Sequence, residues 1–244
     1  MDLDLVRICE EEGQPELISK LEDGLERIDA LFDKYDDDMD PGLVIDILSI
    51  YKEIKPDINS GEVRIALEKA VRFHHKSKKR DKKNRPYVSH AFDVGYILAF
   101  LQRSDDVIKF GLFHDALEEH NGSVNIIKEL IDKKRLNTHE QLVVVCELST
   151  MDSDPNKDGV LYKRLNKHFD DGYEYLSIIK IADNISNLIT KKHMKPKDGL
   201  TSEGRIRRFE ETSKKYWILL AQRIDDKGYL NIKLAPYLKE LVER

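Results

Sequence analysis

The strongest constraint on the fold is an apolar periodicity near 3.6 residues that recurs along most of the 244-residue chain. This spacing places apolar side chains along one face of a helix. Strand-like alternation of valine, isoleucine and threonine is nearly absent, and only 12 glycines and 7 prolines interrupt the pattern. The sequence therefore predicts an all-α protein.

The first 60 residues are predicted to form a helical hairpin that precedes the main domain. A stripe of apolar residues indicates the first helix, over residues 15–34: Leu17, Leu21, Leu25, Ile28 and Phe32. Pro41 marks the start of a second helix that runs to about Ile54. We predict a division into an N-terminal extension, 1–60, and a main domain, 61–244. Nothing in the extension suggests chemistry, and a lid, an oligomerisation arm and a partner-binding surface are all compatible with it.

Charge and cysteine content narrow the class of protein. The chain has 41 lysines and arginines against 46 aspartates and glutamates, a formal charge of −5 that argues against dedicated nucleic-acid binding. Its two cysteines, Cys9 and Cys146, stand in unrelated contexts and predict neither a disulfide framework nor a thiolate metal site. We see no signal peptide and no apolar run of membrane-spanning length. These features predict a cytoplasmic protein.

Three separate places in the main domain carry side chains that bind metal ions. They are His90, the adjacent pair His114-Asp115, and Asp183, which lies within an isoleucine-rich helical segment. A carboxylate buried among isoleucines needs a partner, which could be a metal, an arginine or a helix cap. Two imidazoles and two carboxylates suit one divalent ion such as Mn²⁺, Fe²⁺, Co²⁺ or Zn²⁺. Such an ion polarises a phosphoryl oxygen and lowers the pKa of a coordinated water.

Two glutamates follow the His-Asp pair at helical spacing. Glu118 lies four residues after His114, and Glu119 lies four residues after Asp115, so a continuous helix would place each pair on one face. In that arrangement the glutamates would lie over the His-Asp pair and belong to the same site. The competing interpretation is a helix end that has reached solvent and become polar.

The pattern His90, His114-Asp115 and Asp183 resembles the H…HD…D signature of the HD-domain phosphohydrolases. A more specific resemblance, over roughly residues 62–224, is to the hydrolase domain of the RelA/SpoT-type alarmone enzymes. The matching elements are His75 with Arg80, Pro86-Tyr87, the Lys180-Ile-Ala-Asp183-x-x-x-Asn187 segment, and Glu211-Thr212 with Tyr216. The resemblance implies an HD-domain helical bundle, to which the N-terminal hairpin is an addition.

The resemblance also implies an activity, which is removal of the 3′-pyrophosphate from (p)ppGpp by a metal-activated water. His90, His114, Asp115 and Asp183 would hold one metal, with Mn²⁺ favoured, and Glu118 and Glu119 would be the catalytic proton carriers. The substrate-binding candidates are Arg80, Lys79, Asn187 and Tyr216. Each has a structural alternative: the two basic residues would belong to a solvated loop, Asn187 would stiffen the turn around Asp183, and Tyr216 would serve packing. The expected partner is a small nucleotide, with an oligomer through the hairpin remaining open.

Several positions depart from the alarmone-hydrolase pattern. Glu119 replaces an aspartate, Ala91 stands where His-Pro is usual, and Asn184 stands where arginine or lysine is common. These departures motivate an alternative HD phosphohydrolase that acts on a nucleoside monophosphate, NADPH or a cyclic nucleotide. A catalytically idle HD domain that senses a ligand or binds a partner is a further alternative. The remaining histidines are not spaced convincingly for a second metal.

Overall fold

The computed structural model of the chain describes residues 14–35, 40–74, 85–115, 147–148, 156–196, 199–228 and 230–244. Ten α-helices lie within these ranges: α1 (Gln14–Lys34), α2 (Pro41–Ile54), α3 (Ser60–His74), α4 (Val88–Phe100), α5 (Asp105–Gly111), α6 (Lys157–Asp170), α7 (Glu174–Thr190), α8 (Ser202–Thr212), α9 (Ile218–Lys227) and α10 (Leu234–Glu243). A 3₁₀ turn, Lys191–His193, follows α7, and a π-helical turn, Ser213–Trp217, joins α8 to α9. The prediction of an all-α fold is confirmed.

Helix α4 lies at the centre of the bundle. All of its residues are buried, because α1, α2, α3, α5 and α7 pack around it. Its sequence is apolar on nearly every side, as expected of a helix that is surrounded by others. Helix α7 packs against α4 along much of its length and also contacts α6, α9 and α10. The two helices that carry His90 and Asp183 are therefore held side by side.

The predicted hairpin is confirmed, with α1 and α2 close to the expected bounds. Leu21 and Ile28 of α1 and Ile47 of α2 are fully buried and belong to the same hydrophobic cluster as the residues of α4. Gly24 permits the close approach of α1, because a Cβ atom there would lie 1.9 Å from the hydroxyl of Tyr96. The hairpin thus supports the helix that carries His90, and its separation from the main domain at residue 60 stays a prediction.

Side chains cap the starts of some of the described helices. The sequence predicts Ser104 as an N-cap, and its hydroxyl accepts a hydrogen bond from the Val107 amide at the start of α5. Asp40 caps α2 by accepting a hydrogen bond from the Gly42 amide. The sequence also predicts helices near 124–133 and 139–148, with Ser123 and Thr138 as N-caps; these helices lie outside the described residues, apart from helical residues 147–148. Among the described helices, none is both long enough and apolar enough to cross a membrane.

Candidate metal centre

Four polar side chains from three elements meet at one point between α4, α5 and α7. His90 lies in the first turn of α4, His114 and Asp115 lie in the turn after α5, and Asp183 lies in the middle of α7. One ligand atom from each residue lies within 4.8 Å of the others. The structure thus brings together the four residues that the sequence singled out as metal ligands.

The shortest distances in this cluster join imidazole nitrogens to carboxylate oxygens. His90 Nε2 lies 3.0 Å from Asp183 Oδ1 and 3.5 Å from Asp115 Oδ2. His114 Nε2 lies 3.1 Å from Asp115 Oδ1 and 3.6 Å from Asp183 Oδ1. The Asp115 side chain is 19% exposed, whereas the His90, His114 and Asp183 side chains are at most 5% exposed. Asp115 therefore marks the side on which the cluster is most accessible.

Both imidazoles are oriented with Nε2 towards the carboxylates. His114 Nδ1 lies 2.8 Å from the carbonyl oxygen of Gly111, which can only accept a hydrogen bond, so the ring proton belongs on Nδ1. In the neutral ring the lone pair is then on Nε2, which is buried and lies 3.1 Å from Asp115 Oδ1. His90 Nδ1 lies 3.0 Å from Ser186 Oγ. Histidines that bind metals are held in this manner by a bond to the second ring nitrogen.

The electrostatics of the cluster favour a cation. Burial opposes ionisation of Asp115 and Asp183, but His114 acts on Asp115 and Lys180 on Asp183, so that both pKa values lie well below the usual range. Burial also opposes protonation of His114, but Asp115 and then Asp183 outweigh it and raise the His114 pKa to about 10. Two ionised carboxylates thus stabilise a positive charge between them, which a proton on His114 supplies in the metal-free protein.

Hydrogen bonds fix both carboxylates. The Tyr87 hydroxyl donates to Asp115 Oδ2 at 2.8 Å. Lys180 Nζ donates to Asp183 Oδ2 at 2.6 Å, and Asn187 Nδ2 donates to Asp183 Oδ1 at 2.5 Å. The two inward-facing imidazole nitrogens and the fixed carboxylate oxygens fit a divalent metal ion, although this donor set does not select one metal. Of the two interpretations of Asn187, contact with Asp183 is observed, and contact with a substrate stays a prediction.

The local backbone differs from the sequence expectation at the His-Asp pair. We expected one helix to run from residue 107 through Glu119, but α5 ends at Gly111 and residues 112–115 form turns. The bond from His114 Nδ1 to the Gly111 carbonyl oxygen stabilises this turn, together with the longer bond from the His114 amide to the same oxygen. Glu118 lies outside the described residues, so its alignment over His114 stays a prediction.

Several predicted site residues lie outside the described residues: Lys79, Arg80, Glu118 and Glu119. Tyr216 lies in the π-helical turn, where its ring contacts Tyr162 at 5.3 Å between centroids. The neighbouring Trp217 ring lies 5.4 Å from Lys180 Nζ. Tyr216 is thus linked to Asp183 through two intermediate side chains, and its role in substrate binding stays a prediction.

Two residues that were not among the predicted site residues lie next to His90, on the side of its ring away from the cluster: Ser186 and, beyond it, Asp93. Ser186 is hydrogen-bonded to His90 Nδ1, and its hydroxyl donates to Asp93 Oδ2 at 3.3 Å. A signal was available, because Asp93 follows His90 by three residues and Ser186 follows Asp183 by three. Each therefore lies on the same helical face as a ligand, within a segment that is otherwise apolar.

Comparisons with known proteins agree with this architecture. No protein-family model and no curated protein matches the chain. A solved structure of a metazoan ortholog of SpoT, described as hydrolysing ppGpp and playing a role in starvation responses, matches with a TM-score of 0.56 and 21% identity. The match covers 75% of this chain and 94% of that chain. The chain therefore has the fold of this SpoT-type ppGpp hydrolase and carries a His/Asp cluster compatible with an HD-type metal site.

Proposed function

We propose that the protein is a metal-dependent phosphohydrolase that removes the 3′-pyrophosphate from (p)ppGpp. The observation that carries this proposal is the convergence of His90, His114, Asp115 and Asp183 within 4.8 Å, in the fold of a protein that hydrolyses ppGpp. We favour Mn²⁺ as the metal, although the same donors accept Fe²⁺, Co²⁺ or Zn²⁺. A cytoplasmic location and the division at residue 60 belong to the same proposal.

In this proposal the four residues bind one ion, the histidines through Nε2 and the aspartates through carboxylate oxygens. When bound, the ion supplies Lewis acidity towards a phosphoryl oxygen and lowers the pKa of water. Tyr87 holds the Asp115 carboxylate, and Lys180 holds Asp183, so that the oxygens need little reorganisation. Because Asp115 is the most exposed of the four side chains, the phosphate group approaches from its side.

The remaining roles follow from the resemblance. Glu118 and Glu119 would orient the attacking water and transfer its proton to the leaving group. Arg80 would bind a phosphate group bidentately, with Lys79 adding positive charge. Asn187 would contact the ribose or the water from its position beside Asp183. Tyr216 would contribute a surface for the nucleotide.

A second candidate is hydrolysis of another nucleotide, and the environment of Asn184 favours it. This side chain is 1% exposed, and its Nδ2 donates to Ser213 Oγ at 3.1 Å. RelA/SpoT-type hydrolases commonly have an arginine or lysine at this position. Asn184 brings no positive charge to the site, which weakens the case for a substrate with as many phosphates as ppGpp.

The test is incubation of purified, Mn²⁺-loaded protein with ppGpp, followed by identification of the products. We expect GDP and pyrophosphate, and we expect His114→Ala to abolish their release. A panel of nucleoside monophosphates, NADPH and cyclic nucleotides is assayed in parallel. Cleavage of a panel member with ppGpp left intact would replace the proposed substrate by the second candidate. A protein that binds no divalent metal would favour the idle ligand-sensing alternative.

A further inference from the structure

We propose that Asp93 is a positioning residue for the metal site, which acts through Ser186 to hold the His90 imidazole with Nε2 towards the cluster. The inference rests on the metal site of the proposed function, but not on ppGpp being its substrate. Neither Asp93 nor Ser186 has an atom in the four-residue cluster itself. Their effect would be exerted on the ligand and not on the nucleotide.

Helices α4 and α7 bring Asp93, Ser186 and His90 together in a series of hydrogen bonds. Ser186 Oγ lies 3.0 Å from His90 Nδ1 on one side and 3.3 Å from Asp93 Oδ2 on the other. At the opposite edge of the ring, His90 Nε2 lies 3.0 Å from Asp183 Oδ1. This hydrogen-bond series therefore connects Asp93, through Ser186 and His90, with the centre of the cluster.

The Asp93 carboxylate determines which atom donates in each hydrogen bond of this series. A carboxylate oxygen only accepts hydrogen bonds, so the single hydroxyl proton of Ser186 points to Asp93. Ser186 then presents lone pairs to His90, and His90 Nδ1 has to be the protonated nitrogen. The lone pair of the neutral ring is left on Nε2, which is the form that binds a metal. Without Asp93, the hydroxyl could rotate and donate to Nδ1, which would favour the opposite tautomer.

Burial makes this arrangement energetically important. Ser186 and His90 are each 1% exposed, and Asp93 is 5% exposed. An imidazole N–H that loses its acceptor in such surroundings bears the full cost of desolvation. Asp93 and Ser186 also border a cleft of about 560 Å³, whose other walls include Glu26 of α1 and Lys192 after α7. Glu26 is an exposed carboxylate of the same cleft and supplies a matched control.

The experiment measures Co²⁺ binding by calorimetry and by the visible absorption spectrum of the bound ion, without any nucleotide. We expect Asp93→Asn and Ser186→Ala each to weaken binding about 10- to 100-fold, as is usual for residues that orient a metal ligand. Both variants should shift the absorption spectrum, which a purely structural role would leave unchanged. Because Asp93 acts on His90 only through Ser186, the two effects should not add. The double variant should lose no more affinity than the single variant that binds Co²⁺ more weakly.

The control Glu26→Gln makes the same carboxylate-to-amide change in the cleft and should bind Co²⁺ as the wild type does. Folded variants at positions 93 and 186 that bind Co²⁺ within about twofold of the wild type, or whose effects are additive, would overturn the inference. If Asp93→Asn does not fold, Ser186→Ala decides by the same criterion. A wild-type protein that binds Co²⁺ but leaves ppGpp intact would contradict the proposed substrate only. A wild type that binds no metal would overturn both.

Discussion

Two buried aspartates, Asp183 and Asp225, show how differently the same group can be used. Their exposed fractions are nearly equal, 3% and 5%. Asp225 accepts hydrogen bonds from the backbone amides of Leu234 at 2.8 Å and Ala235 at 2.9 Å, and so caps the start of α10. Asp183 instead faces two imidazoles and Lys180. One carboxylate is satisfied by backbone, and the other is surrounded by side chains that can be rearranged around a cation.

The pKa directions of the two aspartates separate these uses. Burial raises the pKa of Asp225, because its backbone hydrogen bonds only partly offset the loss of water. Burial acts on Asp183 in the same sense, but Lys180 and the two imidazoles lower its pKa well below the usual range. The comparison teaches that burial alone does not identify a functional carboxylate. The partners do, because charged partners lower the pKa of a buried aspartate that burial alone would raise.

The largest expected loss of metal affinity comes from the substitution Asp183→Asn. This change removes one anionic ligand and leaves the lone pairs of His90 and His114 facing an amide. We expect Co²⁺ affinity to fall by at least about 100-fold, because breaking a buried charged contact costs several kcal/mol. Calorimetry on the purified variant measures this loss. Wild-type affinity in the folded variant would show that the metal binds elsewhere.

Asp225→Ala should show the opposite profile, with stability lost and metal binding retained. The change leaves the amides of Leu234 and Ala235 without their buried acceptor, at a cost of about 2 kcal/mol in the free energy of unfolding. Urea denaturation measures this cost. Co²⁺ affinity should stay within about twofold of the wild type, since Asp225 is not one of the four residues of the cluster. A large loss of affinity would show that α10 is coupled to the cluster.

The pH dependence of the same variant sharpens the comparison. Because the Asp225 pKa is raised on folding, the protonated form is favoured by the folded state. The stability advantage of the wild type over Asp225→Ala should therefore grow as the pH falls through the folded pKa towards 3.8, the ordinary pKa of an aspartate, and stay constant below it. An advantage that shrinks over this interval would mean that the ionised form is the stabilising one.

Much of this fold follows from local sequence. The bounds of α1 and α2 were predicted to within about a residue, because an apolar stripe and Pro41 are local signals. The four candidate ligands were also found from sequence, since His90, His114-Asp115 and Asp183 are unusual in apolar helical segments. Both predictions depend on residues whose role is indicated by their neighbours within one or two helical turns.

The features that sequence analysis missed depend on contacts between distant segments. The bond between Ser186 and Asp93 joins residues 93 positions apart, and no local pattern pairs them. The end of α5 depends on a side chain, His114, that turns back to the helix. The sequence predicts one long helix after Gly204, to about Ile224, but a π-helical turn interrupts it at Ser213–Trp217, where Asn184 is bonded to Ser213. Packing between helices determines each of these features.

The smallest expected loss of metal affinity concerns Asp115, the second carboxylate of the cluster. It tests whether the hydrogen bond to this carboxylate also matters for metal binding. Tyr87→Phe removes the hydroxyl that donates to Asp115 Oδ2 and retains the ring that packs on His74. We expect about a tenfold loss of Co²⁺ affinity, at the lower end of the range for residues that orient a ligand. Tyr96→Phe makes the same change in α4, where the hydroxyl faces Lys20 of α1, and should bind Co²⁺ normally. Because Asp115 is partly exposed, water can replace the hydroxyl of Tyr87. A loss as large as that of Asp183→Asn would therefore mean that the orientation of Asp115 depends entirely on Tyr87.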